Sequence, residues 1–311
     1  VHGVLLLDKP VGLSSNDALQ QARRLLRAEK AGHTGTLDPL ASGLLPVCFG
    51  AATKFAQASL DADKSYRATL ALGVTTTTGD AEGEVVERRA VRVDRAAIDA
   101  ARDRFVGTVD QVPPMHSALK HRGRALYDYA RAGQTVERAP RRVTIHRLDI
   151  VDWHDATLVV DVVCTKGTYV RTLAEELGEA LGCGAHLAAL RRTASGALTV
   201  DGAVGLEALA AMDEAQRDSR LLPPDVLLGH WPPVALPDDE AGRFLTGLRR
   251  RVRLPDAPAV RVYGPPPAGT PGAAPAGVFL GSGHVTAGEL IADRLLSPAE
   301  VAGLLNPGTF P

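Results

Sequence analysis

Hydrophobic and polar positions change period along this chain, and each change predicts an element. Val4 to Leu7 is a continuous apolar run of strand length, followed by a turn at Pro10 and Gly12. Ser14 with Asp17 has the form of a capping box, and Ala18, Leu19, Ala22, Leu25 and Leu26 then recur at helical spacing. From Tyr66 to Leu72 the period becomes two, with Tyr66, Ala68, Leu70 and Leu72 on one face and Arg67, Thr69 and Ala71 on the other. Gly79-Asp80-Ala81-Glu82-Gly83 reads as the turn of a hairpin, and Asp94 to Phe105 as a helix stopping near Gly107. Thr157 to Cys164 is a valine-rich strand. After a Lys166-Gly167 turn, Val170, Leu173, Ala174, Leu177 and Leu181 mark an amphipathic helix whose cap is expected at Thr165 or Thr168.

Strands and helices are interspersed without a βαβ rhythm or a dinucleotide-binding glycine motif, which predicts an α+β protein with a mixed central β-sheet. Leu222-Pro223-Pro224 through Trp231-Pro232-Pro233 is the candidate linker. Beyond it lie short strand-like runs at Ala259 to Tyr263 and Val278 to Leu280. The Pro- and Gly-rich stretch 264–277 between them is expected to be a mobile loop. These breaks predict a domain over residues 1–230 and a smaller one over 233–311.

Composition narrows the classes. The 311 residues are 45% hydrophobic and 23% charged, ordinary for a globular protein with room for two domains. No apolar run has the length of a membrane span and the first residues lack a signal pattern, so the expected location is the cytoplasm. Val1 is not a native start. Cys48, Cys164 and Cys183 are odd in number and far apart, which fits a reducing compartment and no disulfide framework. A net charge of −1 excludes a uniformly basic chain, yet eight Lys or Arg stand against two acids between Lys120 and Arg147. A second basic cluster comprises Arg249, Arg250, Arg251 and Arg253. Such local patches suit phosphates, and a merely solvated face is the alternative.

The candidate chemistry centres on Gly32-His33-Thr34-Gly35-Thr36-Leu37-Asp38-Pro39-Leu40-Ala41-Ser42-Gly43-Leu44-Leu45. Glycines allow tight turns, Pro39 biases Asp38 towards an extended backbone, and the leucines can anchor the loop on a core. Asp38 is the only acid between Glu29 and Asp61, so the paired carboxylates of most glycosidases are not visible here. A lone positioned carboxylate suits a nucleophile or a metal ligand, while an ordinary Asp-Pro turn is the bland alternative.

This segment closely resembles the catalytic motif Gly-His-x-Gly-x-Leu-Asp-Pro-x-Ala-x-Gly of the TruB family of tRNA pseudouridine synthases. Gly3 to Pro10, Lys64-Ser65-Tyr66-Arg67, Ser117-Ala118-Leu119-Lys120, Lys166-Gly167-Thr168-Tyr169-Val170-Arg171-Thr172 and Leu190-Arg191-Arg192 match in family order. The resemblance covers about the first 230 residues well and the rest loosely. It implies a pseudouridine synthase catalytic domain with helices and loops around its sheet, and a small C-terminal β-barrel of the PUA kind. It implies isomerisation of the uridine at standard position 55, in the T-loop of tRNA, to pseudouridine. No redox cofactor, metal or guide RNA is needed.

Carried over by that resemblance, Asp38 is the nucleophile, Arg171 the guanidinium that keeps it charged, and Tyr66 the aromatic that stacks on the flipped base. Tyr169 and Leu190 line the uridine pocket, and His33 contacts the RNA where the base has left. A surface pairing of Arg171 with Glu175 one helical turn on is the alternative reading of that arginine. Lys9 and Lys54 could meet backbone phosphates. The basic segment beginning at Lys120 resembles the insertion of stand-alone bacterial members, which closes over the T-loop. The expected partner is the tRNA T-stem-loop, with no membrane, no obligate protein partner and a monomeric state. An RNA-binding folding chaperone without chemistry, a guide-RNA-dependent relative and a metal-dependent hydrolase are the competing functions.

Overall fold

The computed structural model describes residues 1–117, 119–265 and 277–305. The stretch expected to be mobile falls largely outside them, as does Ala118. The chain forms two compact units. One comprises Val1–Leu37, Leu44–Leu60 and the chain from Gly196 onward; the other comprises Asp38–Gly43 and Asp61–Ser195.

The second unit is built on antiparallel strands. Lys64–Leu72 pairs on one side with Thr157–Cys164 and on the other with Ala185–Ser195. Thr157–Cys164 in turn pairs with Arg141–His154, which carries Gly107–Gln111 at its far side. Residues 41–43, the first three of the strand Ala41–Phe49, run parallel to 190–192, so the sheet is mixed. The helices Arg95–Asp103 and Val170–Ala180 supply Ile98, Leu173 and Leu177, which pack on Leu70, Leu158 and Val160 of the sheet. The alternation read from Tyr66 to Leu72 is real: Ala68, Leu70 and Leu72 are buried and Arg67 is exposed. Asp94 caps the first of these helices as a side-chain acceptor from Ala97 N–H.

Two long strands escaped the sequence reading for one reason. Arg141–His154 has bulges between Ile145 and Arg147 and between Ile150 and Asp152, and Ala185–Ser195 has bulges after Leu187 and after Arg192. Each bulge inserts a residue and inverts the inward-outward alternation, so period two never persists long enough to be seen.

In the first unit, Gly3–Lys9 pairs with Val204–Gly205 and Leu221–Leu222, and Ala31–His33 pairs with the end of Ala41–Phe49. Ser14 caps the helix Ser15–Leu25 by accepting from Asp17 N–H. Its hydroxyl also donates to the Asp17 carboxylate at 2.6 Å, so the cap is present in a form other than the reciprocal box. Part of the expected linker is buried. Leu227 and Leu228, on the short 3-10 helix Pro224–Leu228, are buried with Val4, Phe55, Tyr263 and Phe279. Pro224 is buried with them, while Pro223, Pro232 and Pro233 are exposed.

The C-terminal strands run in the order Pro233–Ala235, Ala257–Gly264, Val278–Thr286, Glu289–Leu295, Arg250–Arg251. The two outer strands are three and two residues long and do not pair with each other. The result is an open sheet, bent by bulges into a half-barrel, and the closed barrel expected from the sequence is corrected accordingly.

Candidate active site

Asp38 sits in the second unit at the head of a tight turn. Ala41 N–H donates to the Asp38 carbonyl at 3.0 Å, with Pro39 at the position where its fixed φ suits such a turn. Within the first unit, Ser15 Oγ accepts from Leu37 N–H at 2.7 Å and donates to Leu37 C=O at 3.0 Å, fixing the peptide just before Asp38. On the other side Gly43 adopts φ +99°, and a side chain there would collide with the Arg192 backbone. The motif glycine therefore lets the turn's outgoing strand lie against 190–192.

That strand arrangement gathers the site. Leu190 stands opposite Ala41 on one side and Ala68 on the other, and Arg192 stands opposite Tyr66. The antiparallel neighbour of Lys64–Leu72 also leads through Lys166 to the helix Val170–Ala180, whose second residue is Arg171. Arg171 is buried and donates from Nη2 to Asp38 Oδ2 at 3.0 Å, while Asp38 is 47% exposed. One partner is thus fixed in the interior and the other reaches solvent. Pairing with Glu175 is not what this arginine does.

Arg171 is held from several sides. Nη1 lies 3.4 Å from Asp80 Oδ2, and the guanidinium donates to the Thr78 and His116 carbonyls. Asp80 is itself buried, accepting from Thr78 Oγ1 at 2.6 Å and from Glu82 N–H at 3.1 Å. A cation in the first turn of a helix opposes the macrodipole by about 0.3–1 kcal/mol; two carboxylates offset that here. Asp80 was read from sequence as a turn residue, and its hairpin (Val74–Thr76 with Val85–Arg88) does form. Nothing in the local pattern marks its carboxylate as the one that turns inward. Glu175 lies close to this group; burial raises its pKa and the Arg171 charge opposes the rise.

The expected Thr165 or Thr168 cap is absent. Thr165 Oγ1 accepts from Thr144 N–H of the strand Arg141–His154 and Thr168 Oγ1 donates to Thr165 C=O, so neither hydroxyl caps the helix. Tyr169 is the N-cap, without a side-chain cap bond of its own.

Tyr66 and Tyr169 are both half-buried and both feel the Asp38 charge. Burial raises the Tyr66 phenol above its ordinary pKa, and the neighbouring Arg192 guanidinium opposes that rise. Burial likewise raises Tyr169, with the Ser117 hydroxyl acting against it. Both phenols are neutral at physiological pH. Arg192, only 1% exposed, was singled out in sequence merely as part of a motif; the bulged strand is what turns it inward. Burial, and then the Arg192 charge, lower the Lys64 ammonium to about 8, with Asp61 and Asp63 opposing.

The remaining expected residues belong to the first unit. His33 is half-buried opposite Val47. Lys9 is buried and donates to the Pro10 and Leu13 carbonyls at 2.8 and 2.6 Å. Lys54 donates to Glu300 at 2.6 Å and to the Leu295 carbonyl at 2.9 Å, so its charge is compensated within the protein.

The basic insertion folds as a small hairpin, Lys120–His121 with Arg124–Ala125, and the helix Leu126–Arg131. Arg124 lies over the Tyr129 ring at 4.7 Å and Arg131 over Tyr127 at 5.3 Å, while Lys120, Arg122, Arg141 and Arg147 are exposed. In the second basic cluster, Arg249 pairs with Glu289 and Arg250 with Glu240. All three cysteines are buried free thiols, and burial pushes Cys48 to about 12 and Cys164 to about 11. Among the described residues no helix is long and apolar enough to cross a membrane, and no cluster of His, Cys, Asp or Glu is arranged to hold a metal ion.

A mixed sheet presenting an aspartate–arginine pair beside two neutral phenols defines a class of enzyme, and comparison with known proteins agrees. Residues 23–170 match the N-terminal domain model of TruB family pseudouridylate synthases, and residues 171–229 match the tRNA pseudouridylate synthase B C-terminal domain. The chain belongs to the TruB family. It is 61% identical over 277 residues to the tRNA pseudouridine synthase B of Cupriavidus pinatubonensis, covering 86% of this chain and 88% of that protein. It is 55% identical over 312 residues to the tRNA pseudouridine synthase B of Verminephrobacter eiseniae, covering 98% and 92%. Its fold is similar to a chain of a crystallised Cbf5–Nop10–Gar1 complex, with a TM-score of 0.73 and 24% identity over 96% of this chain and 86% of that one.

Proposed function

We propose that this protein isomerises a uridine of tRNA to pseudouridine, acting without a guide RNA on the uridine at position 55 of the T-loop. The observation that carries the reading is the Asp38–Arg171 pair, 3.0 Å apart, with its carboxylate reaching solvent. In this reading the target base leaves its stack and enters beside Asp38, at a cost of a few kcal/mol. Asp38 acts as the ionised nucleophile or base that detaches the uracil from the ribose. The ring is retained, turned, and rejoined through carbon 5, so substrate and product have the same atoms and no external oxidant or energy source enters. Arg171 fixes the carboxylate. Tyr66 offers a flat neutral face for the base, with Tyr169 and Leu190 as further walls of the pocket. His33 occupies the space the base vacates.

The basic insertion at 120–147 is assigned to gripping the T-stem-loop, and the exposed arginines of the C-terminal module, residues 233–311, to further RNA contact. The catalytic portion is then residues 1–230. The protein works in the cytoplasm as a monomer, with tRNA as its partner.

Tritium release from a tRNA transcript labelled at uridine carbon 5 tests the reading. Wild type should release tritium, and Asp38→Asn should bind the transcript normally yet release none. Tritium-releasing Asp38→Asn enzyme would overturn the assignment of Asp38.

A further inference from the structure

Gln111 lies outside the site drawn so far, yet its side chain acts on one residue only. It ends the strand Gly107–Gln111, opposite Arg141, and is 2% exposed. Its Oε1 accepts from Tyr169 N–H at 3.0 Å, and its Nε2 donates to Tyr169 C=O at 3.4 Å. Both ends of a buried amide are thus spent on the backbone of one residue, in the manner of a neighbouring strand residue. Tyr169 is extended, with φ −97° and ψ 108°, and the residue after it begins the helix.

The peptide so held is a lever. Its own ring belongs to the proposed uridine pocket, and Arg171 follows two residues later. A helix start normally takes its fixed position from a Ser, Thr, Asp or Asn cap. Here that cap is missing, so the entry angle depends on a residue from another element. The same segment continues the tie: the His116 carbonyl accepts from Arg171. Misplacing a reacting group by about 1 Å can cost about 100-fold in rate.

We propose that Gln111 is a positioning residue of the isomerisation, setting through the Tyr169 backbone the place from which Arg171 holds Asp38. The inference rests on the functional reading of the Asp38–Arg171 pair. Its side chain bonds Tyr169 and not the reacting atoms, while its backbone stands opposite Arg141 of the basic insertion, so chemistry and RNA affinity are read separately.

The test uses full-length enzyme in excess over labelled tRNA transcript, with single-turnover rate and equilibrium affinity measured separately. Gln111→Met keeps the volume and removes both hydrogen bonds. We expect its rate to fall about 10-fold or more at saturation, with affinity within about 2-fold of wild type. Because a saturating single-turnover rate does not depend on the folded fraction, simple loss of protein would not produce that pattern. In an Arg171→Lys background the same change should cost less than about 2-fold, since the residue acts through Arg171. Should Gln111→Met fail to fold, Gln111→Asn withdraws the amide by one methylene and should show the same split. A rate equal to wild type, a matching loss of affinity, or an undiminished effect in the Arg171→Lys background would each overturn the proposal. Turnover by Asp38→Asn would instead overturn the functional reading beneath it.

Discussion

At the residue scale the site is an arginine whose position is over-determined and an aspartate whose surroundings are half open. Arg171 meets Asp38, Asp80 and two backbone carbonyls, so its geometry survives whether or not RNA is present. Asp80→Asn keeps the shape and the bonds from Thr78 and Glu82 but removes the second charge. We expect single-turnover tritium release to slow about 10-fold or more, because an arginine with one fewer fixed partner drifts on the ångström scale. Lys64 gives a pH prediction. Its pKa is about 8 in the folded protein against an ordinary 10.5, so between those values the unfolded chain binds a proton that the folded one does not. Stability contributed by this site therefore rises with pH through that window and is lowest below 8. Thermal melts of Lys64→Met should exceed wild type most near neutrality, and the gap should narrow by pH 10.5.

At the element scale the helix Val170–Ala180 carries the site at one end and close packing at the other. Gly178 abuts Ala185 so tightly that a Cβ would strike the Ala185 backbone. Gly178→Ala should destabilise by about 1–3 kcal/mol, read as a lower denaturation midpoint, although alanine is the better helix former. The helix itself was legible, because Val170, Leu173, Ala174 and Leu177 keep one face. Its cap was not. Two threonines stood at suitable positions in the chain, and both hydroxyls found other backbone partners, leaving the helix start to Gln111 from a strand nearly sixty residues earlier. The bulged strands repeat the lesson: an inserted residue costs little in a ladder and erases the pattern by which a strand is recognised.

At the scale of the whole molecule, the C-terminal strands share a core with the N-terminal segment. Phe279 packs edge-on against Phe55 with ring centroids 5.0 Å apart, Tyr263 donates to Asp225 at 2.6 Å, and Lys54 bridges to Glu300. Cutting the chain after residue 233 should therefore lower the melting temperature by many degrees as well as weaken tRNA binding, because it opens an apolar cluster that includes Val4 and Leu228. A truncated protein with an unchanged melting curve would separate that module from the core.

By itself the sequence determined the elements with an unbroken period, the mixed α+β class, and the loop that carries Asp38, since glycine, proline and leucine spacing are properties of neighbours in the chain. It also singled out Arg171 and Tyr66, through resemblance to a family. Only the tertiary structure decided which acids share that arginine, which of two adjacent arginines turns inward beside Tyr66, and that Leu227 and Leu228 of a presumed linker are buried. Those outcomes depend on contacts between residues tens of positions apart, where burial and competing hydrogen-bond partners, rather than local propensity, choose the arrangement.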